Sequence, residues 1–517
     1  MNEPQPRFAA ARSTVLWAVA GLTALGVAVR FASLGLQSYH HDEVITAARV
    51  IPGSFAHMLR EVKSSESNPP LYYVLAWAWA KAFGTGEVGL RSLSAVFGAA
   101  TVPVIYFAGR ELASRRAGLI VAALVAVNPM LIWYSQEARS YAPLVFFGAV
   151  SLVFFARALR TRAGRDLAFW ALASALALCS HYFAVFAVAI EGAWLLIALR
   201  ERWRVVLPAV AGVVATGVAL VPLINGQVNP NHIGWIEGSP LPSRLWETAV
   251  SFLIGETGHV IAEPPRERYA LIPVALVGIA FLLALIRGSK RERKGAGIGL
   301  LIGLGVVALA SAAALAGKDY VVERNLLPAL APLLVAAAIG FAASGARRIG
   351  MLLAVVLCAY WLAFDIHVTQ TPNLQRPDFR ALTRALGPAK RPRAIVSWTL
   401  AADPVEFYLA DGSQRMYSGT EPLAEVDVVS KPLVGGRPVH LPPSFHQVQR
   451  IRLDRLTLIR YVSKKPQKIE FHTLRALPTG FGRDAVVIDG LPEQILVPPR
   501  AGLHAGALAS VRGDELR

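Results

Sequence analysis

The dominant pattern along the chain is a series of long apolar runs separated by short polar connections. A helix that crosses a bilayer needs about 20 mainly apolar residues. The runs that approach this length lie at 14–35, 90–109, 117–134, 141–160, 166–181, 182–199, 204–225, 269–287, 297–316, 325–343 and 348–366. The pattern therefore predicts an all-α polytopic membrane protein with about eleven transmembrane helices.

Two parts of this pattern need separate decisions. The apolar block 166–199 is too long for one span, so we divide it near Ser180-His181-Tyr182. The stretch 70–84 is apolar and aromatic, but it is short for a span and contains Lys81. Tryptophan and tyrosine favour the membrane interface. We therefore predict that 70–84 forms a juxtamembrane helix that lies flat on the outer surface.

The distribution of basic residues supports this choice and sets the orientation. With 70–84 flat, the basic clusters fall in alternate connections: Arg110, Arg115 and Arg116; Arg157, Arg160, Arg162 and Arg165; Arg200, Arg202 and Arg204; Arg287, Lys290, Arg291, Arg293 and Lys294; Arg347 and Arg348. Positively charged connections stay cytoplasmic. The N-terminus is then cytoplasmic, and the outer segments are 36–89, 135–140, 226–268, 317–324 and the tail.

The tail from residue 367 has a different composition. It is richer in proline and charge, and it contains short runs typical of β-strands at 394–398, 426–430, 456–462, 469–474 and 485–488, with a helical pattern at 378–386. We predict a transmembrane catalytic domain at 1–366 and a soluble extracytoplasmic α/β domain at 367–517.

Composition excludes several classes of protein. Hydrophobic residues make up 54% of the chain and charged residues only 17%, which a soluble domain does not combine. The net charge of +18 does not indicate a nucleic-acid partner, because the basic residues cluster between apolar runs. Cys179 and Cys358 lie inside apolar runs and predict no disulfide. The first apolar run is too long for a signal peptide, so we expect it to stay as a span.

The first outer segment contains a pair of adjacent carboxylates, Asp42 and Glu43. A carboxylate at the membrane surface can act as a general base that takes the proton of an attacking hydroxyl. The alternative is a solvated loop in which Asp42 caps a helix. His40 and His41 adjoin the pair without a metal-ligand spacing. No cofactor is certain from the sequence, and a divalent metal is possible but not indicated.

Two further outer segments carry candidate binding residues. The segment 135–140 is short but holds Glu137 and Arg139 beside Tyr141; an exposed Glu137–Arg139 ion pair is one alternative. Together with the segment of Asp42, it suggests an acidic, hydrogen-bonding cavity that faces outward. Arg324 precedes an apolar run and fits a lipid phosphate, with Lys318 as a second candidate. The alternative for Arg324 is an ordinary interfacial arginine. For His181 an interfacial role is favoured.

Taken together, these segments resemble the GT-C superfamily of membrane glycosyltransferases. The likeness is to bacterial relatives of protein O-mannosyltransferases and of the lipid A aminoarabinose transferase, in glycosyltransferase family 39. It is strong over 30–160, fair to 370 and weak in the tail. The residues that carry it are Asp42-Glu43, Asn68-Pro69-Pro70-Leu71-Tyr72-Tyr73, Gly89-Leu90-Arg91-Ser92-Leu93-Ser94-Ala95, Tyr134-Ser135-Gln136-Glu137-Ala138-Arg139-Ser140-Tyr141 and Glu323-Arg324-Asn325-Leu326-Leu327-Pro328.

The resemblance implies a fold and an activity. The expected fold has many membrane helices, an outward-facing cavity and two juxtamembrane helices in the first outer loop. The expected reaction is an inverting transfer of a sugar from a polyprenyl phosphate to an unknown hydroxyl acceptor on protein, lipid or glycan. By this likeness Asp42 is the base, Glu43 and Glu137 are further catalytic candidates, and Arg324 or Lys318 holds the donor phosphate.

The remaining expectations concern the cavity and the location of the protein. The cavity candidates are His41, Arg139, Tyr141 and Tyr72. One departure is that Asn68 precedes the Pro-Pro pair, with Glu66 two residues earlier, which leaves the role of an acidic residue there open. We expect the protein in the inner cell membrane.

Two other functions remain as alternatives. A transporter or flippase of lipid-linked sugars would carry repeated halves and ionisable residues near the middle of the membrane. A non-catalytic scaffold would explain the tail but not the paired outer carboxylates.

Overall fold

The computed structural model describes residues 6–227, 236, 239–257, 266–409, 414–416, 420–430, 441–477, 479 and 485–490. The chain divides into two compact units, Met1–Arg376 and Pro377–Arg517, which are described separately. The predicted boundary at 366/367 lies ten residues earlier, within the last long helix of the first unit.

The first unit is helical throughout its described part. Its α-helices are α1 Pro6–Phe31, α2 His41–Val44, α3 Phe55–Ser65, α4 Leu71–Phe83, α5 Glu87–Leu112, α6 Arg115–Val127, α7 Pro129–Ser135, α8 Tyr141–Thr161, α9 Gly164–Ser180, α10 Ala184–Ala198, α11 Trp203–Gln227, α12 Leu241–Ile254, α13 Glu267–Arg287, α14 Lys290–Leu315, α15 Leu330–Phe341 and α16 Arg347–Gln370. A π-helical segment, Ile45–Val50, follows α2, and a 3₁₀ segment, Glu323–Ala329, precedes α15.

The helices that are long and apolar enough to cross a membrane agree with most of the predicted spans. Within the described residues they number eight: Ser13–Phe31, Glu87–Leu112, Tyr141–Thr161, Arg200–Gln227, Glu267–Arg287, Lys290–Leu315, Glu323–Phe341 and Ser344–Gln370. The bent pair α6 and α7 provides a ninth if it forms one span. The chain is a multi-pass membrane protein, as predicted.

The predicted number of about eleven spans is not confirmed. The runs 166–181 and 182–199 correspond to α9 and α10, which have 17 and 15 residues and do not meet the length for a full span. The division of this block is confirmed, because α9 ends at Ser180 and α10 begins at Ala184.

The aromatic stretch after Pro70 forms α4, a helix of 13 residues. At 1.5 Å per residue α4 is about 20 Å long, less than the roughly 30 Å of hydrocarbon that a span must cross. It is not among the candidate spans. Together with α3, it provides the two short helices expected in the first outer loop; their position relative to the bilayer remains a prediction.

A close contact fixes α4 against the start of α5. The indole Nε1 of Trp79 donates to the carbonyl oxygen of Gly89 at 3.2 Å and to the hydroxyl of Ser92 at 2.9 Å. A side chain at Gly89 would lie 2.2 Å from the carbonyl oxygen of Phe83. Only glycine therefore permits this close approach of the end of α4 to the start of α5.

The bend of 57° between α6 and α7 brings the segment 136–140 to the same end. Pro129 has no N–H, so the carbonyl of Val125 loses its usual helical partner. The guanidinium of Arg30, which is fully buried, donates to the carbonyl oxygens of Val125 and Ala126 at 2.9 and 2.8 Å. The side chain of Asn128 then caps α7 by accepting from the N–H of Leu131.

The second unit contains a six-stranded sheet, which agrees with the predicted α/β domain. The strands are β1 Arg393–Trp398, β2 Gln414–Met416, β3 Thr420–Ser430, β4 His446–Leu453, β5 Leu456–Glu470 and β6 Ala485–Gly490, in the order β2-β6-β1-β3-β5-β4. The pair β1–β3 is parallel and the other pairs are antiparallel. The helices are α17 Phe379–Leu386, α18 Thr399–Leu409 and α19 Phe471–Arg475.

One predicted strand in this unit is wrong in part. The run 469–474 was expected to be a strand, but β5 ends at Glu470 and α19 begins at Phe471. The strands β2 and β4 and the helix α18 were not predicted. β4 lies at the edge of the sheet, and its outer residues are largely exposed, so it lacks the apolar alternation that identifies a half-buried strand.

Candidate functional site

The three segments that the sequence predicts to lie outside the membrane come together at one end of the first unit. The shortest link between the first and third is an ion pair between Asp42 and Arg324, with 3.9 Å between Oδ2 and Nη1. The two side chains are 26% and 31% exposed, so both remain accessible. The second segment contacts the first through Arg139, whose guanidinium lies 3.4 Å from the carbonyl oxygen of Asp42.

The electrostatic surroundings keep the Asp42 carboxylate ionised. Burial would raise the pKa of Asp42, but the positive charges of Arg139 and Arg324 outweigh this effect and hold it well below its ordinary value. The N-terminus of α2 also favours the charged form of Asp42, because this residue lies in the first turn of that helix. The site therefore presents a charged carboxylate beside an accessible guanidinium.

Glu43, the neighbour of Asp42, has a different environment. Its side chain is completely buried and accepts hydrogen bonds from Arg91 through both oxygens, at 2.8 and 2.7 Å. Arg376 and the backbone N–H of Ala138 also donate to it, at 3.0 and 2.9 Å. Burial raises the pKa of Glu43, but the contacts with Arg91 reverse this effect and lower it. In this arrangement Glu43 joins the first and second segments.

Arg91 holds the whole first segment in position. Besides Glu43, its guanidinium donates to the carbonyl oxygens of Leu34, Gln37 and Ser38 at 2.7–3.0 Å. These carbonyls follow the end of α1, where helical partners are absent. A single arginine near the start of α5 thus provides hydrogen-bond donors for the backbone carbonyls of the turn that leads to Asp42.

Glu137 and Arg139 are both buried, at 6% and 5% exposure, and each has a different partner. Glu137 pairs with Arg376, and Arg139 donates to both oxygens of Glu66 at 2.8 and 2.7 Å. The alternative of an exposed Glu137–Arg139 pair is therefore wrong. Burial raises the pKa of Glu137, and the positive charge of Arg376 opposes that rise.

Arg376, the last residue of the first unit, completes this network of ion pairs. It follows the last long helix, and its backbone N–H donates to the side chain of Gln37 at 2.9 Å. Its guanidinium lies over the ring of Trp133, 4.8 Å from the centroid, while bonding to Glu43 and Glu137. One residue therefore contacts both Glu43 and Glu137.

The other sequence candidates take different positions. Tyr141 is 3% exposed and its ring lies 4.6 Å from that of Tyr134. Tyr72 is fully buried against Tyr73 and so does not face open space. His41 begins α2 and is partly buried. Lys318 is exposed, and within the described residues no side-chain contact joins it to Asp42.

Sequence reasoning missed several partners in this network. Arg91 was quoted only as part of a motif, and Arg376 was not singled out at all. Glu66 was noted, but with its role in doubt. A buried carboxylate needs a cation as its partner, so burial of Glu43 would predict an arginine beside it. The spacing of residues in the sequence did not identify Arg91 or Arg376 as that partner. Over the described ranges, no three His, Cys, Asp or Glu side chains group as metal ligands.

An apolar pocket lies beside the segment that carries Arg324. It is formed by α8, α10 and the 3₁₀ segment with the start of α15, and its lining includes Leu144, Val145, Val188, Leu327 and Pro328. The polar members of the lining, Ser151 and Glu191, are hydrogen-bonded to each other. The pocket therefore offers apolar surface three to four residues from Arg324 along the chain.

The fold and site define a polytopic membrane protein with a cluster of carboxylates and arginines at one end of its helical unit. Comparisons with known proteins show what this chain is similar to. Residues 67–224 match the family model described as dolichyl-phosphate-mannose-protein mannosyltransferase. The comparison with curated proteins finds no significant match.

Similar solved structures extend the likeness in fold. The crystal structure of ArnT from Cupriavidus metallidurans in the apo state has a TM-score of 0.54 at 13% identity, over 87% of this chain and 98% of that one. The structure of the same protein bound to undecaprenyl phosphate has a TM-score of 0.53 at 12% identity, over 86% and 97%.

A third match is more distant in structure. It is the S. cerevisiae protein O-mannosyltransferase Pmt1–Pmt2 complex bound to the sugar donor, with a TM-score of 0.31 at 20% identity, over 41% of this chain and 32% of that chain. That score is too low for an argument about the fold. The family match and the two ArnT structures confirm the predicted resemblance to mannosyltransferase-like GT-C glycosyltransferases.

Proposed function

We propose that the chain transfers a sugar from a polyprenyl-phosphate donor to an acceptor hydroxyl, with inversion, on the outer side of the inner cell membrane. The observation that carries this proposal is the accessible Asp42–Arg324 pair, with 3.9 Å between charged atoms. Sugar transfer from a phosphate needs a base for the attacking hydroxyl and a cation for the leaving phosphate. The neighbouring carboxylates Glu43 and Glu137 already have arginine partners, Arg91 and Arg376.

The comparisons support the class of donor. The matching family is named for dolichyl-phosphate-mannose, and ArnT has been crystallised with undecaprenyl phosphate. Both lipids are polyprenyl phosphates.

In the proposed mechanism Arg324 binds the donor phosphate and Asp42 takes the acceptor proton. The guanidinium stabilises the negative charge that develops on the leaving phosphate. A phosphate on Arg324 also shares the positive charge that now lowers the pKa of Asp42. Donor binding therefore raises the basicity of Asp42, so that it accepts the proton as the new bond forms. One displacement from the face opposite the phosphate inverts the anomeric carbon.

The apolar pocket supports a place for the lipid. A polyprenyl chain can lie along Leu327 and Pro328 while its phosphate reaches Arg324 on the same segment. Burial of apolar chain in such a pocket contributes about 25 cal/mol per Å² of covered surface. The lipid thus remains in the membrane while its head group enters the site.

The basic clusters support an outer position for the site. Arg110, Arg160 and Arg291 all contact Glu111 at the far end of α5 from Arg91. The positive-inside rule makes that end cytoplasmic. Asp42 and Arg324 then face outward, and the second unit, which follows the last long helix, is extracytoplasmic.

The test is transfer by purified protein in detergent, with polyprenyl-phosphate sugars and a hydroxyl acceptor. Wild-type protein should form product, whereas Asp42→Asn, which keeps the size and loses the charge, should lower the rate about 10²–10⁴-fold, the usual contribution of a general base. The thermal unfolding midpoint checks that the variant is folded. Full activity in Asp42→Asn would exclude Asp42 as the base. No product from wild-type protein would favour a transporter, since transport leaves no product in detergent.

A further inference from the structure

His181 lies in the three-residue connection between α9 and α10, beside the candidate site. Its side chain is 3% exposed. The positive charges of Arg139 and Arg324 both act on it. The sequence favoured an interfacial role for this residue, but the structure buries it next to the phosphate-binding candidate.

The hydrogen bonding of His181 determines which ring nitrogen carries the proton. Its Nδ1 accepts from the backbone N–H of Phe183 at 3.3 Å. A backbone N–H can only donate, so Nδ1 carries no proton and the neutral ring has its N–H at Nε2. Burial, together with Arg139 and Arg324, lowers the pKa of His181 to about 3, which keeps the ring neutral. Within the described part of the chain, Nε2 has no hydrogen-bond partner.

Aromatic rings continue from His181 on both sides. Its ring centroid lies 5.6 Å from that of Tyr141 and 5.5 Å from that of Phe183. Phe183 in turn lies 5.9 Å from Tyr320, four residues before Arg324. Flat aromatic surface with a fixed neutral donor is suited to a sugar, which presents C–H faces and hydroxyl oxygens.

We propose that His181 binds the sugar of the donor by donating its Nε2–H to one sugar hydroxyl, and that it thereby helps to select the sugar. The inference rests on the proposed function and adds the residue that recognises the transferred group. A neutral hydrogen-bond donor such as the His181 ring suits this task, because a second cation would compete with Arg324 for the phosphate. A site built to bond a hydroxyl rejects an analogue that lacks it.

The test compares His181→Phe and His181→Gln with wild-type protein. The probes are polyprenyl phosphates of mannose, glucose, galactose and 4-amino-4-deoxyarabinose, followed by single-deoxy analogues of the accepted sugar. Wild-type protein should lose about 3- to 10-fold in kcat/KM with one analogue, the usual effect of one neutral hydrogen bond. His181→Phe should treat that analogue and the parent sugar alike. His181→Gln, whose amide can donate from a similar position, should keep part of the discrimination.

The outcomes separate this inference from the proposed function. If wild-type protein transfers none of the four sugars, the proposed function fails and the inference fails with it. If wild-type protein transfers a sugar and His181→Phe discriminates among the deoxy analogues as strongly as wild type, only the role of His181 is wrong. A general structural defect would lower all rates without removing the discrimination against one analogue.

Discussion

The two ends of the helical unit hold arginines in contrasting surroundings, and α5 carries both kinds. Arg91 and Arg110 are 19 residues apart on α5, or about 29 Å. Arg91 is 2% exposed and pairs with a fully buried carboxylate, Glu43. Arg110 is 36% exposed and pairs with Glu111, which also contacts Arg160, itself 54% exposed.

This difference indicates two uses of positive charge. Exposed ion pairs contribute about 0–1 kcal/mol each, so their effect on stability is small. The exposed arginines instead fit a role in setting the orientation of the chain in the membrane. Buried pairs cost several kcal/mol when one partner is removed. Buried arginines therefore fix the loops of the candidate site, and Arg324 is distinguished from them by its accessibility.

The largest expected effect is on stability, from Arg91→Ala. This change leaves Glu43 buried with fewer partners and removes the five hydrogen bonds that the Arg91 guanidinium donates. Removal of one partner of a buried pair costs about 3–5 kcal/mol. The thermal unfolding midpoint of the purified variant in detergent should fall markedly, and protein yield should fall with it.

A double variant sharpens this prediction. Arg91→Met with Glu43→Leu removes both charges and should recover part of the lost stability, because apolar replacement of a buried pair is often tolerated. If the single variant Arg91→Ala unfolds at the same midpoint as wild-type protein, the Arg91–Glu43 pair does not organise the first loop. Arg110→Ala at the other end of α5 is the matched control and should change the midpoint little.

A smaller effect is expected from Arg376→Gln, which acts on activity and its dependence on pH. Arg376 lowers the pKa of Glu137 against the effect of burial. Its removal raises that pKa, so Glu137 becomes protonated at a higher pH than in wild-type protein. Because Glu137 is a catalytic candidate by the resemblance, loss of its charge should lower transfer at neutral pH about 10- to 100-fold, which is about 1.4–2.7 kcal/mol in activation free energy.

The pH profile distinguishes this role from a structural one. The acidic limb of kcat/KM should move to higher pH in Arg376→Gln, and activity should recover partly as pH rises. An unchanged profile with a uniformly lower rate would exclude Arg376 as the residue that keeps Glu137 ionised.

Much of the fold was predictable because apolar length and charge placement are properties of the sequence alone. The break at Ser180–Ala184, the short helix α4 and most strands of the second unit follow from such patterns. The segments around Asp42, Glu137 and Arg324 were also identified, and the structure brings them together.

The partners within the site were not predictable to the same degree. Pairs such as Glu43–Arg376 join residues 333 positions apart, and no local pattern indicates such a contact. The kink before Pro129 was also missed; there Arg30 donates to the carbonyl of Val125, which the proline leaves without its helical partner, and to that of Ala126. Contacts between residues distant in the sequence can be identified only from the fold, whereas most helices and strands can be predicted from local sequence patterns.

The most direct test of the central claim is the binding of polyprenyl phosphate to variants at the two ends. Native mass spectrometry of wild-type protein in detergent should detect one bound undecaprenyl phosphate. Arg324→Gln should lose that binding by about tenfold or more, since a charge-assisted bond contributes about 1.5–3 kcal/mol. Arg160→Gln, at the opposite end, should bind like wild-type protein. Equal binding by Arg324→Gln and wild type would contradict a phosphate site at Arg324.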